Sequence, residues 1–327
     1  MLHVQAIIYL LTPFIALPSV LLARDLNFKA QAKADLTGAV AGAASALTGA
    51  WLGYGVWVLV IAPIALLATR AAGLALAARH MTWPRFNFRG MRGVLTFGSA
   101  LVACQFFWVI QSQSDVAIAG RLFDPHHLGL YSEALFLTLI VTAKFIPPLN
   151  EVAFPAYTEL SKQGGDVGKA FLNTVRLTML VALPIYLGMS VVSGPLVEVL
   201  FGQKWLEMDI LVSTLAIAMP FFALQIICSP TTNALGKPSI YLRTSLAGAI
   251  LMPVGFLIGI RWGVWGLTHA WLVGTPIMLA ITLYLTLPEL KLRASDVFKA
   301  VLPPAVAALA MAGTVYGARL WLADMPA

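Results

Sequence analysis

Charge is what this sequence has least of. Only 11% of its 327 residues are Asp, Glu, Lys or Arg, while 60% are hydrophobic; soluble domains carry about 25% charged residues. The mean hydropathy is +0.86. So few charges leave too little polar surface to cover the chain, and lipid must be its solvent. Cysteine is nearly missing too. Cys104 and Cys228 each lie in an apolar run, so no disulfide framework is implied. No His, Cys or carboxylate cluster has metal-ligand spacing; the one pair, His126-His127, is adjacent on a short loop and makes a poor chelate. Paired catalytic carboxylates, a nucleophile elbow and a Walker loop are all missing, so no enzyme activity, metal or cofactor is expected. Strict alternation is missing as well, which argues against membrane strands. Met1 to Leu22 has neither a basic leader region nor a small-residue cleavage site and reads as a membrane helix.

What is present is a series of long apolar runs. A bilayer core of about 30 Å takes roughly 20 residues of helix. Ten stretches qualify: approximately 3–22, 36–53, 56–79, 94–120, 128–150, 168–193, 208–228, 239–260, 264–287 and 297–322. The expected fold class is therefore an all-α integral membrane protein of about ten transmembrane helices. Glycine-bearing joints at residues 53–55 and 261–263 are short enough for tight antiparallel hairpins.

The net charge of +7 would point to nucleic acid in a soluble protein, but its placement reports topology here. One alternating set of loops carries 14 Lys and Arg, among them Arg89, Lys162 and Arg293, and the other carries 4, among them Lys204. By the positive-inside rule the rich set is cytoplasmic. No nucleic-acid partner is expected. The chain also repeats itself. Pro13-Phe14-Ile15-Ala16-Leu17 matches Pro220-Phe221-Phe222-Ala223-Leu224, and Gly55-Val56-Trp57 matches Gly263-Val264-Trp265, at offsets of 207 and 208 residues. Helices one to three then correspond to helices seven to nine. A six-helix offset keeps orientation, giving a parallel repeat about the membrane normal, a common transporter plan.

Several ordered motifs carry a resemblance. Ala23-Arg24-Asp25-Leu26-Asn27-Phe28-Lys29 precedes a helix that leads to Gly53-Tyr54-Gly55-Val56-Trp57. Ser114-Asp115-Val116-Ala117-Ile118-Ala119-Gly120-Arg121-Leu122-Phe123 precedes Leu128-Gly129-Leu130-Tyr131-Ser132. Phe154-Pro155-Ala156 and Leu200-Phe201-Gly202-Gln203-Lys204-Trp205 follow. As an ordered set covering essentially the whole chain, these resemble the polysaccharide (lipid-linked oligosaccharide) flippases of the Wzx type in the MOP superfamily. The resemblance implies a two-lobe bundle of six helices per lobe, often with extra C-terminal helices, around a cavity open alternately to either side. It implies an undecaprenyl-diphosphate-linked oligosaccharide as substrate, the bacterial inner membrane as location and surface polysaccharide biosynthesis as the process. Membrane lipids, a polysaccharide polymerase and other assembly proteins are the expected partners. Motif alignment places the first helix at the family's fourth, so the N-terminal lobe is expected to be incomplete and the chain truncated at both ends. The expected divisions are residues 1–93 as the second half of the N-lobe, 94–287 as the C-lobe and 288–327 as an extra helix.

Flipping a lipid needs a wet cavity and cations for diphosphate or acidic sugars, and ionisable side chains inside membrane helices usually face such a cavity. Arg70 lies about 13 Å in from the cytoplasmic end, at 1.5 Å per residue, and Arg176 lies at similar depth. Both are candidate bidentate donors to phosphate or carboxylate, with snorkelling as the alternative. Lys144 is nearer the inner interface. No acidic residue is expected at the depth of the two arginines. Asp115 and Gln111 share a helix face with Trp108 and Cys104. Their candidate role is a cavity wall, or for Asp115 an ion-responsive carboxylate; an ion pair with Arg121 is the simpler alternative. Other classes stay open. An inactive remnant acting as an assembly partner has the same composition. A polyprenyl-linked glycosyltransferase would need an acidic or His-Asp pair at a membrane face, and a drug exporter of the same superfamily would need an acidic cavity.

Overall fold

The computed structural model describes residues 7–24, 27–78 and 92–323. Arg79, Arg85 and Arg89, which enter the loop-charge reading, and Asp25 of the first motif lie outside the described residues. Among the described residues ten long helices are present: α1 (Ile7–Arg24), α2 (Phe28–Trp51), α3 (Val58–Ala78), α4 (Arg92–Leu122), α5 (Pro125–Lys162), α6 (Val167–Val191), α8 (Asp209–Ala234), α9 (Pro238–Gly259), α10 (Gly263–Thr286) and α11 (Ala294–Ala323). An eleventh, α7 (Ser193–Phe201), is short. Among the described residues there is no strand.

The helices differ from the apolar runs in two ways. α5 continues to Lys162, well past the expected end near residue 150, and carries Pro147, Pro148 and Pro155 inside it. Its far end is polar, and a helix need not stop where the hydrocarbon does. α7 was not expected; Gly202, at φ 87°, ends it in a backbone conformation that suits glycine. Among the described residues six helical stretches are long and apolar enough to cross a membrane, and one of them, Pro238–Leu290, contains both α9 and α10. α1 is apolar but shorter. α2 and α4 are more polar: α2 begins with Lys29, Lys33 and Asp35, and α4 carries Gln111-Ser112-Gln113-Ser114-Asp115.

Local chemistry sets the helix starts. Asp124 caps α5 by accepting from the His127 amide at 2.8 Å, and Asp166 caps α6 through the Lys169 amide at 2.9 Å. The His127 amide also holds the Asp124 carboxyl below the usual carboxylate range, helped by the His127 ring.

The structure divides into two compact units, on either side of residues 89 and 90. In the first, α3 packs against α1 and α2. The buried face of α2 is made of Ala34, Gly38, Gly42 and Gly49, small residues mostly four apart, as close packing in lipid requires. In the second unit α8 is central, packed against α5, α6 and α10; α9 pairs with α4 and α10, and α11 lies on α6. Tyr131, Phe171, Tyr186, Phe256 and Trp271 are fully buried in its core.

Candidate functional site: a polar cavity in the second unit

A cavity of about 200 Å³ opens among α4, α5, α8, α9 and α10. Its wall mixes amide and hydroxyl groups with the apolar side chains of Trp108, Ile226, Cys228 and Ile240. α4 contributes Gln105, Trp108 and Gln111; α5 contributes Asn150; α8 contributes Gln225, Ser229 and Thr232. Tyr241, Thr244 and Ser245 of α9 and Thr282 and Thr286 of α10 complete it. No lining residue carries a charge. Spacings of three or four residues (105, 108, 111; 225, 229, 232; 282, 286) put each set on one face of its helix.

Gln111 is nearly fully buried and donates weakly to the Gln225 carbonyl oxygen at 3.4 Å. Its own amide oxygen, Asn150 Oδ1 and Thr286 Oγ1 are buried with no hydrogen-bond partner within the protein. A buried amide or hydroxyl without a partner is costly. Gly248 seats the glutamine: a Cβ there would lie 1.9 Å from Gln111 Oε1. Gly248→Ala is therefore expected to push the Gln111 side chain into the cavity. Chemical modification of a cysteine introduced at Ser229 should then slow, with little loss of thermal stability because the colliding atom ends a flexible side chain. An unchanged modification rate would show that Gln111 is not held this way.

One turn along α4 lies Asp115, fully buried. It accepts from the Tyr131 hydroxyl at 2.6 Å, the Trp271 indole N–H at 3.0 Å and the Val116 amide at 2.7 Å. The Trp271 N–H also reaches the Tyr131 oxygen at 3.0 Å. Asp115 is thus tied to neutral donors on α5 and α10, and the pair with Arg121 is not among the ion pairs of the described residues. Aromatic rings join this cluster to the cavity. Trp108 stacks on Phe222 (5.7 Å, 13°), and Phe222 meets Trp271 edge-on (5.5 Å, 89°).

The cationic candidates lie elsewhere. Lys144 on α5 and Arg176 on α6 are exposed and do not line this cavity. Arg176 shares its stretch of α6 with exposed Leu177 and Leu180. Arg70, on α3 of the first unit, pairs with Asp35 of α2 at 2.6 Å. This corrects the expectation that no carboxylate shares its depth: Asp35 lies just before the apolar run 36–53, but α2 begins at Phe28 and its packing on α3 brings Asp35 alongside. The hydroxyl and amide residues of α8, α9 and α10 were not singled out from the sequence. Their signal was there in polar residues recurring every three to four positions within apolar helices. Among the described residues no group of three potential metal ligands exists.

The described helices form a multi-pass helical membrane protein. It has 89% of its length matched by a solved chain, "Lipid II flippase MurJ, inward closed conformation", with a TM-score of 0.61 and 13% identity. The chain belongs to the family described as polysaccharide biosynthesis protein, whose model matches residues 1–210. It is 22% identical over 325 residues to the teichuronic acid biosynthesis protein TuaB of Bacillus subtilis, across 97% of this chain. It is also 22% identical over 188 residues, 57% of this chain, to the probable low-salt glycan biosynthesis flippase Agl15 of Haloferax volcanii. The chain spans 66% of TuaB, 39% of Agl15 and 61% of the MurJ chain.

Proposed function

We propose that this chain takes part in flipping a polyprenyl-diphosphate-linked oligosaccharide across the bacterial inner membrane for surface polysaccharide synthesis, by alternating access. One observation carries the reading: a family member whose apolar helix bundle holds an uncharged cavity lined in large part by amide and hydroxyl side chains. Flipping requires shelter for a polar head group and no covalent chemistry, and such a cavity offers part of that shelter. In this reading residues 1–93 form the second half of an N-lobe, 94–287 the C-lobe and 288–327 an added helix, and a polymerase is the natural neighbour in the membrane.

The test is reconstitution of the full chain in liposomes with a lipid-linked oligosaccharide bearing a fluorophore on the glycan. An impermeant quencher added outside should remove nearly all the fluorescence if the chain flips, and only the outer-leaflet share if it does not. The latter result would leave the chain as an assembly partner.

The exposed cations Arg176 and Lys144 are proposed to meet the diphosphate or an acidic sugar outside the neutral cavity. Arg176→Gln is the cleaner probe, because Arg70→Gln would also leave Asp35 without its partner. We expect Arg176→Gln to slow flipping several-fold and Arg176→Lys to slow it less, since charge survives while the bidentate fork is lost. Equal rates for wild type and Arg176→Gln would assign Arg176 to the lipid headgroups.

A further inference from the structure

The chemistry of the cavity wall narrows the substrate, given the flipping role proposed above. A diphosphate or uronate placed here would lose its water without gaining a cation, which is costly for a charged group. A neutral polyol loses hydroxyl hydration and regains hydrogen bonds from amides and hydroxyls. Gln111, Asn150 and Thr286 line the wall, and each carries a buried oxygen without a protein partner that a side-chain rotation would turn to the cavity as an acceptor for O–H or N–H donors. Gln105 and Gln225 add amide groups that both donate and accept. Trp108, held by its stack on Phe222, supplies a rigid apolar ring at the same wall, suited to the C–H face of a sugar. At about 200 Å³ the cavity exceeds the about 30 Å³ share of one water and falls below the about 300 Å³ of sites that enclose drug-sized ligands. It takes one ring-sized group and not a whole oligosaccharide.

We propose that this cavity is a subsite for one uncharged sugar residue, a hexose or N-acetylhexosamine, of the transported glycan. It selects neutral against acidic sugars at that position. A small cation would be the other ligand for a wall of neutral oxygens, but it would not use the amide N–H groups or the aromatic ring.

The experiment places a reporter cysteine at Ser229, a half-buried wall residue, in the full chain in nanodiscs, with the native free cysteines Cys104 and Cys228 replaced by alanine. Its rate of modification by a small neutral thiol reagent is followed by intact mass. Methyl galactoside or methyl N-acetylglucosaminide at tens of millimolar should slow modification at least threefold, while the matching galacturonate should not. Gln111→Leu in the reporter background should abolish the protection, and Thr286→Val should weaken it. Should Gln111→Leu fail to fold, Thr286→Val carries the same test. Equal protection by galacturonate, protection by sodium chloride alone, or no protection by either neutral glycoside would each overturn the subsite. The liposome assay separates the two readings. A chain that flips without neutral-sugar protection keeps the function and loses the subsite. A chain that shows the protection but does not flip keeps the subsite and loses the function.

Discussion

Gly266→Ala is expected to be the most damaging single-methyl change in the second unit. A Cβ at Gly266 would lie 1.7 Å from the Gly259 carbonyl oxygen, and a Cβ at Gly259 would lie 2.3 Å from the Gly266 carbonyl oxygen. Both obstacles are backbone, so no side chain can swing aside. The α9–α10 hairpin would have to open by more than an ångström. Overpacking typically costs about 1–3 kcal/mol, and a backbone collision of this depth should reach or exceed the upper end. Since α9 and α10 both wall the polar cavity, loss of stability and loss of the site should come together. Gly313→Ala on α11 is the matched control, because a Cβ there meets nothing within 4 Å. It should be neutral or slightly stabilising, as alanine is the better helix former. Thermal unfolding of the purified chains, read by tryptophan fluorescence, checks the pair. A Gly266→Ala midpoint within a degree of wild type would mean that the two helices are not in backbone contact.

Asp115→Leu should have the second largest effect, through what it abandons. The Tyr131 hydroxyl and the Trp271 indole N–H are both fully buried, and both point at this carboxylate. They still have each other at 3.0 Å, so one donor is orphaned outright and the other keeps a partner only in one geometry. A buried unsatisfied donor costs about 1–3 kcal/mol, and membrane hydrogen bonds sit toward the low end because the unfolded chain also finds partners in the bilayer. A loss of about 2 kcal/mol is expected, or roughly 4–8 °C in melting temperature by the scaling for domains of 150–250 residues. Asp115→Asn keeps a side-chain carbonyl at the same place and should lose less than half as much. Equal losses for the leucine and asparagine variants would show that charge, not acceptor geometry, is what the cluster requires. A wild-type midpoint for Asp115→Leu would remove the cluster from any structural role.

The candidate site was only partly legible in the sequence. Gln111 stood out because a glutamine in a membrane helix is conspicuous, and it lies on the cavity wall. Asp115 stood out for the same reason, yet its partners were misjudged. Arg121 was the nearby opposite charge, but the aspartate is held by a tyrosine and a tryptophan, the latter 156 residues away. Arg70 was given no acidic partner because Asp35 sits in the polar first turns of α2; helix packing brings the two within 2.6 Å. Thr282, Thr286 and Thr232 drew no notice, because a lone threonine in an apolar helix can bond its own preceding turn, as Thr282 and Thr232 do.

The sequence by itself determined that the chain is a multi-pass membrane protein, where its long helices run, and which family it resembles. Hydrophobicity summed over a turn-by-turn window is a local property, and short ordered motifs can be read without knowing which helices touch. Only the tertiary structure decided which polar groups meet. That depends on the rotation of each helix about its own axis and on how closely neighbours approach. Both are set by contacts such as Gly259 on Gly266 and Gly248 on Gln111, between residues that lie on different helices. A cavity is made of such meetings: Gln111 and Gln225 are 114 residues apart, and neither alone distinguishes a sugar-sized hollow from a satisfied core amide.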